Sequence, residues 1–210
     1  METGMADVDG AKLYYELSGQ GHPLVLLHAG GMDSRMWDDQ FELFAGHFKV
    51  IRYDARGVGK SEVPTGPFSH YEDLYGLLRF LGIDVAFIVG LSLGGRTAID
   101  FSLAYPQMAD ALVLVGSGLS GYTFSPQYQE KIMAVVSAVR AGTISQQVEA
   151  FLDNSSSVLS PEHAFARQKI IKMLTDNAKA SSLDPSLVRE LNPPAIEALR
   201  NSGTYFNSRR

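Results

Sequence analysis

Ser92 is the side chain best placed by its neighbours to do chemistry. It sits in Val89-Gly90-Leu91-Ser92-Leu93-Gly94-Gly95. A short apolar run, Asp84 to Val89, precedes it. Arg96 to Tyr105 follows, with Ala98, Ile99, Phe101 and Leu103 at apolar positions and Pro106 as a stop. That pattern reads as strand, tight turn, helix. Gly90-x-Ser92-x-Gly94 then fits a serine nucleophile held at the tip of a sharp turn. The turn brings strand and helix so close that side chains at positions 90 and 94 would collide, which accounts for the glycines. The helix would direct its N-terminal N–H groups and positive dipole end at the same spot. The chemistry implied is attack of a hydroxyl on a carbonyl carbon.

A second stretch, Gly57-Val58-Gly59-Lys60-Ser61, ends like a phosphate-binding loop and would imply nucleotide binding. The pattern needs a glycine where the chain has Asp54, and a carboxylate there repels phosphate. A helix should open at Lys60, yet Pro64, Gly66 and Pro67 follow at once. The stretch is therefore read as a loop.

The elements that must position Ser92 alternate along the chain. Asp9-Gly10 between Met5–Val8 and Ala11–Leu17 signals a hairpin. Pro23 to Leu27 reads as a strand buried on both faces, and Met36 to Phe44 as helical. Lys49 to Asp54 is a further strand. Ser69 to Leu81 is an amphipathic helix with Leu74, Leu77, Leu78 and Leu81 on one face. Ala111 to Val115 reads as another buried strand. This order predicts an α/β fold with a mainly parallel sheet. His28, Asp54 and Ser92 then fall at the carboxyl ends of strands, where such sheets bind ligands. Beyond Gly121 the alternation stops. Ser125–Arg140, Ser145–Leu152, Ser160–Ala178 and Asp184–Leu191 are expected as helices, the last two opened by a cap residue followed by proline.

Composition narrows the function classes. The chain has 210 residues, 45% hydrophobic and 20% charged, a net charge of −5 and no cysteine. Disulfides and thiolate metal sites are excluded. The acidic balance and lack of a basic run point away from nucleic acid. The first residues carry neither a basic nor an apolar signal segment, and no apolar run reaches the ~18 residues of a membrane span. A cytoplasmic protein without cofactor or metal is expected.

Leu26-Leu27-His28-Ala29-Gly30-Gly31, Asp54-x-Arg56-Gly57-x-Gly59-x-Ser61 and Gly90-x-Ser92-x-Gly94-Gly95 occur in the order and spacing of the α/β-hydrolase superfamily. With Asp33-Ser34-Arg35-Met36-Trp37, the chain resembles the small bacterial carboxylesterase and enol-lactonase branch. The resemblance implies an α/β-hydrolase core over residues 1–120, a helical cap over 121–200 and a polar tail over 201–210. It implies Ser92 as nucleophile on an ester or lactone, forming an acyl-enzyme. The backbone N–H groups of Leu93 and Gly30 would hold the oxyanion. His28, Asp54 and Arg56 would be structural, bracing loops. Ile132, Val136, Phe151 and Leu174 would pack the cap.

A serine hydroxyl needs a base, normally a histidine oriented by a carboxylate. In this superfamily both follow the cap, on the last strands. Here Asn192 to Leu199 resembles the last cap segment, and the polar run Arg200 to Arg210 follows. Gly116-Ser117-Gly118 offers no carboxylate at the alternative acid position. After Ser92 the only histidine is His163, expected as an ordinary helix residue. Two outcomes are carried forward: a serine hydrolase with a substitute base, or a truncated, inactive relative lacking the usual last strands. In the second case Ala111–Val115 lies at the sheet edge and self-association is expected.

Overall fold

A computed structural model describes residues 1–130, 164–177 and 184–201. Strands β1 (Glu2–Val8) and β2 (Ala11–Ser18) form the expected hairpin. Asp9 and Gly10 both have positive φ, 45° and 74°, as the two central residues of a type I′ turn require. β3 (Pro23–Leu27), β4 (Lys49–Tyr53), β5 (Ala86–Leu91) and β6 (Ala109–Val115) complete one sheet in the order β1-β2-β4-β3-β5-β6. The β3–β4, β3–β5 and β5–β6 pairs are parallel, and β2 meets both its neighbours antiparallel. The chain leaves β3 to one side for β4 and crosses back to the other side for β5. The strand order therefore reverses at β3, and the crevice past its carboxyl end is the natural ligand position.

Helices cover both faces. On one, α2 (His70–Phe80) and α3 (Leu93–Ala104) bury Leu74, Leu77, Leu78, Ala98 and Phe101 against Val25, Ile51 and Ile88. On the other, a 3-10 turn at Ser34–Trp37 leads into α1 (Asp38–Ala45), and Trp37 and Phe41 pack on Leu24, Leu26 and Val50. The alternation of β3 and β4 neighbours between these two clusters explains why both strands read as continuous apolar runs. Further helices are α4 (Ala164–Asp176) and α5 (Ala195–Asn201). Among the described residues, no helix is long and apolar enough to cross a membrane.

Two expectations are corrected. Asp184–Leu191 is not a helix. Asp184 caps Ser186 N–H as anticipated, but the turn stops after Pro185–Leu187. The chain then runs extended beside Phe68, whose N–H donates to the Leu187 carbonyl (2.8 Å) and whose carbonyl accepts from Arg189 N–H (2.7 Å). Tertiary pairing has overridden local helix signals. Ala111–Val115 is a strand, but not a buried one: Val113, Leu114 and Val115 are 56%, 38% and 43% exposed. Among the described residues only β5 pairs with β6, so its outer edge carries unpaired backbone groups. The expected helices at Ser145–Leu152 and most of Ser125–Arg140, with Ile132, Val136, Phe151 and His163, lie outside the described residues.

An apolar strand edge with free N–H and C=O groups templates pairing with another strand. The expected outcome is concentration-dependent self-association of the 210-residue chain in sedimentation, reduced by Val113→Lys. A monomer over a hundredfold concentration range would contradict it.

Candidate active site

Ser92 stands between β5 and α3 with φ 54° and ψ −109°. A positive φ is unfavourable for a residue with a Cβ and costs ~1–3 kcal/mol. The surroundings impose it. Ser92 N–H donates to the Val115 carbonyl (3.0 Å), and the Ser92 carbonyl accepts from Arg96 N–H (3.0 Å) and Gly118 N–H (3.1 Å). A Cβ on Gly90 would strike the Gly94 carbonyl, one on Gly94 the Leu27 carbonyl, and one on Gly95 the Ser117 hydroxyl. The strand, the helix and the neighbouring strand end are in backbone contact, leaving Ser92 lifted out and exposed. Among the described residues its hydroxyl makes no hydrogen bond.

Gly30 lies beside it. A Cβ there would sit 3.7 Å from Leu93 Cβ, an ordinary contact, so the loop after β3 and the first turn of α3 are adjacent. Leu93 opens α3, where the N–H groups of the first turn have no intrahelical acceptor. The two proposed oxyanion positions and the serine are thus brought together at the ends of β3 and β5.

His28 does not approach this role. It is buried, with Nδ1 2.8 Å from the Ala29 carbonyl and Nε2 3.0 Å from Ala55 N–H. The carbonyl can only accept and the amide can only donate, so Nδ1 carries the proton and Nε2 accepts. The ring ties the loop after β3 to the loop after β4. Asp54 does the same from the other side: Oδ1 accepts from Ser34 N–H and Oδ2 from Lys60 N–H, both at 2.8 Å. Arg56 spans Asp73, through Nε and Nη2, and the Val8 carbonyl, through Nη2. These contacts also dispose of the phosphate-loop reading. The amides of Gly57, Gly59, Lys60 and Ser61 are all donated internally, to Glu62, Asn177, Asp54 and Val58.

Two features escaped the sequence reading. His70 opens α2 and, with His28, Tyr53, Leu27, Gly94 and Thr97, lines a cavity of about 20 Å³ beneath the turn, room for one water. Burial pushes His70 down to about 4, helped by the nearby His28, Arg96 and Arg56. Burial likewise lowers His28. Asn177, at the end of α4, is 3% exposed and bonds both the loop that contains Gly30, at Asp33, and the turn at Gly59. Helical periodicity gives no sign of either.

A family model described as alpha/beta hydrolase fold matches residues 22–178. The chain is 31% identical over 208 residues to a 2-hydroxy-6-oxononadienedioate/2-hydroxy-6-oxononatrienedioate hydrolase of Paraburkholderia phymatum, covering 88% of this chain and 72% of that protein. It is 28% identical over 165 residues to a 2-hydroxy-6-oxo-6-phenylhexa-2,4-dienoate hydrolase of Comamonas testosteroni, covering 72% of this chain but only 57% of that protein. Among solved structures it resembles an enol-lactonase from Burkholderia xenovorans LB400, with a TM-score of 0.69, 25% identity, and coverage of 85% and 71% of the two chains.

The buried imidazoles set a pH dependence. Their folded values lie below the ordinary 6.5, so the unfolded chain binds more protons as pH falls. The imidazole contribution to stability is therefore expected to decrease from about pH 6.5 toward about pH 4, the window opened by His70, and is opposed there by Asp73, whose carboxyl is raised by burial to about 6. Urea unfolding at pH values across that window should show a slope shallower by about one proton in His70→Gln. An unchanged slope would contradict the assignment.

Proposed function

The chain belongs to the α/β-hydrolase fold family, and on that premise we propose that it carries a serine site for a carboxylic ester or lactone, acting through an acyl-enzyme on Ser92. The observation that carries this reading is the left-handed backbone of Ser92 at the strand-to-helix turn, beside Gly30 and Leu93. Ser92 Oγ attacks the carbonyl carbon. The oxygen gains charge and is held by the N–H groups of Leu93 and Gly30, backbone donors already set in place by the turn and the loop. The alcohol or enol leaves, and water releases the acid.

Attack also requires a base to take the Ser92 proton. Among the described residues no imidazole or carboxylate contacts its hydroxyl, and both nitrogens of His28 are committed to loop contacts. This favours a second reading, in which the 210-residue chain holds the nucleophile and oxyanion donors without a working base. In a well-studied serine protease, losing the histidine costs on the order of 10⁶ in turnover.

The expected outcome is hydrolysis of a short-chain nitrophenyl ester barely above background, with slow fluorophosphonate labelling that is absent from Ser92→Ala. Rapid, saturable turnover lost in Ser92→Ala would overturn the base-less reading, and its further loss in His163→Ala would identify the substitute base. Labelling that survives Ser92→Ala would overturn Ser92 as the nucleophile.

A further inference from the structure

We infer that Asn177 is a positioning residue: it locks the 29–33 loop to the 57–60 turn and thereby steadies the loop that carries the Gly30 N–H. The inference rests on the reading of Gly30 as an oxyanion donor. Asn177 follows α4, far in sequence from both loops, yet it is buried between them. Its Nδ2 donates to Asp33 Oδ2 at 2.8 Å and lies 3.4 Å from the Gly31 carbonyl. Its Oδ1 accepts from Gly59 N–H at 2.8 Å. The partners leave one orientation: a carboxylate and a carbonyl can only accept, and an amide N–H can only donate.

Among the described residues the two loops are otherwise hydrogen-bonded at their bases, by Asp54 to Ser34 N–H and Lys60 N–H and by His28 to Ala55 N–H. Gly30 and Gly31 form the far end of the first loop, and Gly31 has a φ of 75°. Glycine peptides rotate easily. The peptide that carries the Gly30 N–H is held through its Ala29 carbonyl by His28 Nδ1 (2.8 Å) and Met32 N–H (3.1 Å). Asn177 secures the chain just beyond it, at the Gly31 carbonyl and at Asp33, which Arg35 grips from its other side through Nε and Nη2, at 2.8 and 2.6 Å. Burial would raise the Asp33 carboxyl, but the Arg35 and Asn177 bonds outweigh it and hold it below the usual carboxylate range. The carboxylate stays charged and so remains a strong acceptor for the amide. Seating of α4 and the setting of the 29–33 loop are in this way coupled.

Asn177→Asp isolates the claim. It keeps size and the acceptor for Gly59 N–H but replaces the donor facing Asp33 with a carboxylate. Hydrogen exchange over residues 29–34 should speed ~10- to 100-fold, the loss of a charge-assisted bond. Fluorophosphonate labelling of Ser92 should slow by a similar ~10- to 100-fold. The loss should fall in the maximal inactivation rate, with the half-saturating reagent concentration unchanged. Lys169→Ala removes the exposed pairing of α4 with Asp39 and should leave labelling within about twofold of wild type. If Asn177→Asp does not fold, Asn177→Ser, which loses the amide without adding charge, reads the same two quantities. Unchanged exchange, or faster exchange with unchanged labelling, overturns the inference. Wild type that never labels at Ser92 overturns instead the functional reading beneath it.

Discussion

The close approach of β5, α3 and the end of β3 is the constraint on which the site depends. Gly90, Gly94 and Gly95 each face backbone or a side chain where a Cβ would stand. With no room for side chains, the chain can pass from strand to helix in a single residue. That residue must then take a backbone conformation unfavourable for serine. Strain at Ser92 is held by a dense surround, with its N–H and carbonyl fixed to Val115, Arg96 and Gly118. Loosening any of the three glycines would relax the turn and withdraw the hydroxyl.

Around this turn, buried polar groups do the work that apolar packing cannot do for loops. His28, Asp54, Arg56 and Asn177 are each nearly excluded from water and each bonded to backbone. Loops carry unpaired N–H and C=O groups, and burying them without partners is costly. Their satisfaction by a few side chains makes the crevice rigid without a regular element. Arg56 with Asp73 is the most demanding case: two charges, 7% and 2% exposed, joined by short bonds. Removing either partner would leave an unpaired buried charge, at ~3–5 kcal/mol.

Local signals carried most of the core. The Asp9-Gly10 turn, the apolar runs of β3 and β4, the leucine face of α2 and the glycine spacing around Ser92 each follow from steric rules acting over a few residues. What sequence did not reveal depends on partners distant along the chain. Asp184-Pro185 carries a sound helix start, yet its continuation pairs with Phe68. Ala111 to Val115 has the composition of a central strand, and only the sheet order exposes it. Asn177 is a polar residue past a helix end, and nothing nearby marks it as the link between Asp33 and Gly59. The family resemblance rests on the three motifs, and the matched region of residues 22–178 contains them all.

The central claim is that Ser92, Gly30 and Leu93 form one preorganised acyl-transfer half-site. The most direct measurement is a crystal structure of the chain after reaction with a fluorophosphonate. The account predicts phosphorus on Ser92 Oγ, with the phosphoryl oxygen about 3 Å from both the Gly30 and Leu93 nitrogens. A phosphoryl oxygen turned to solvent, with neither N–H in reach, would contradict it.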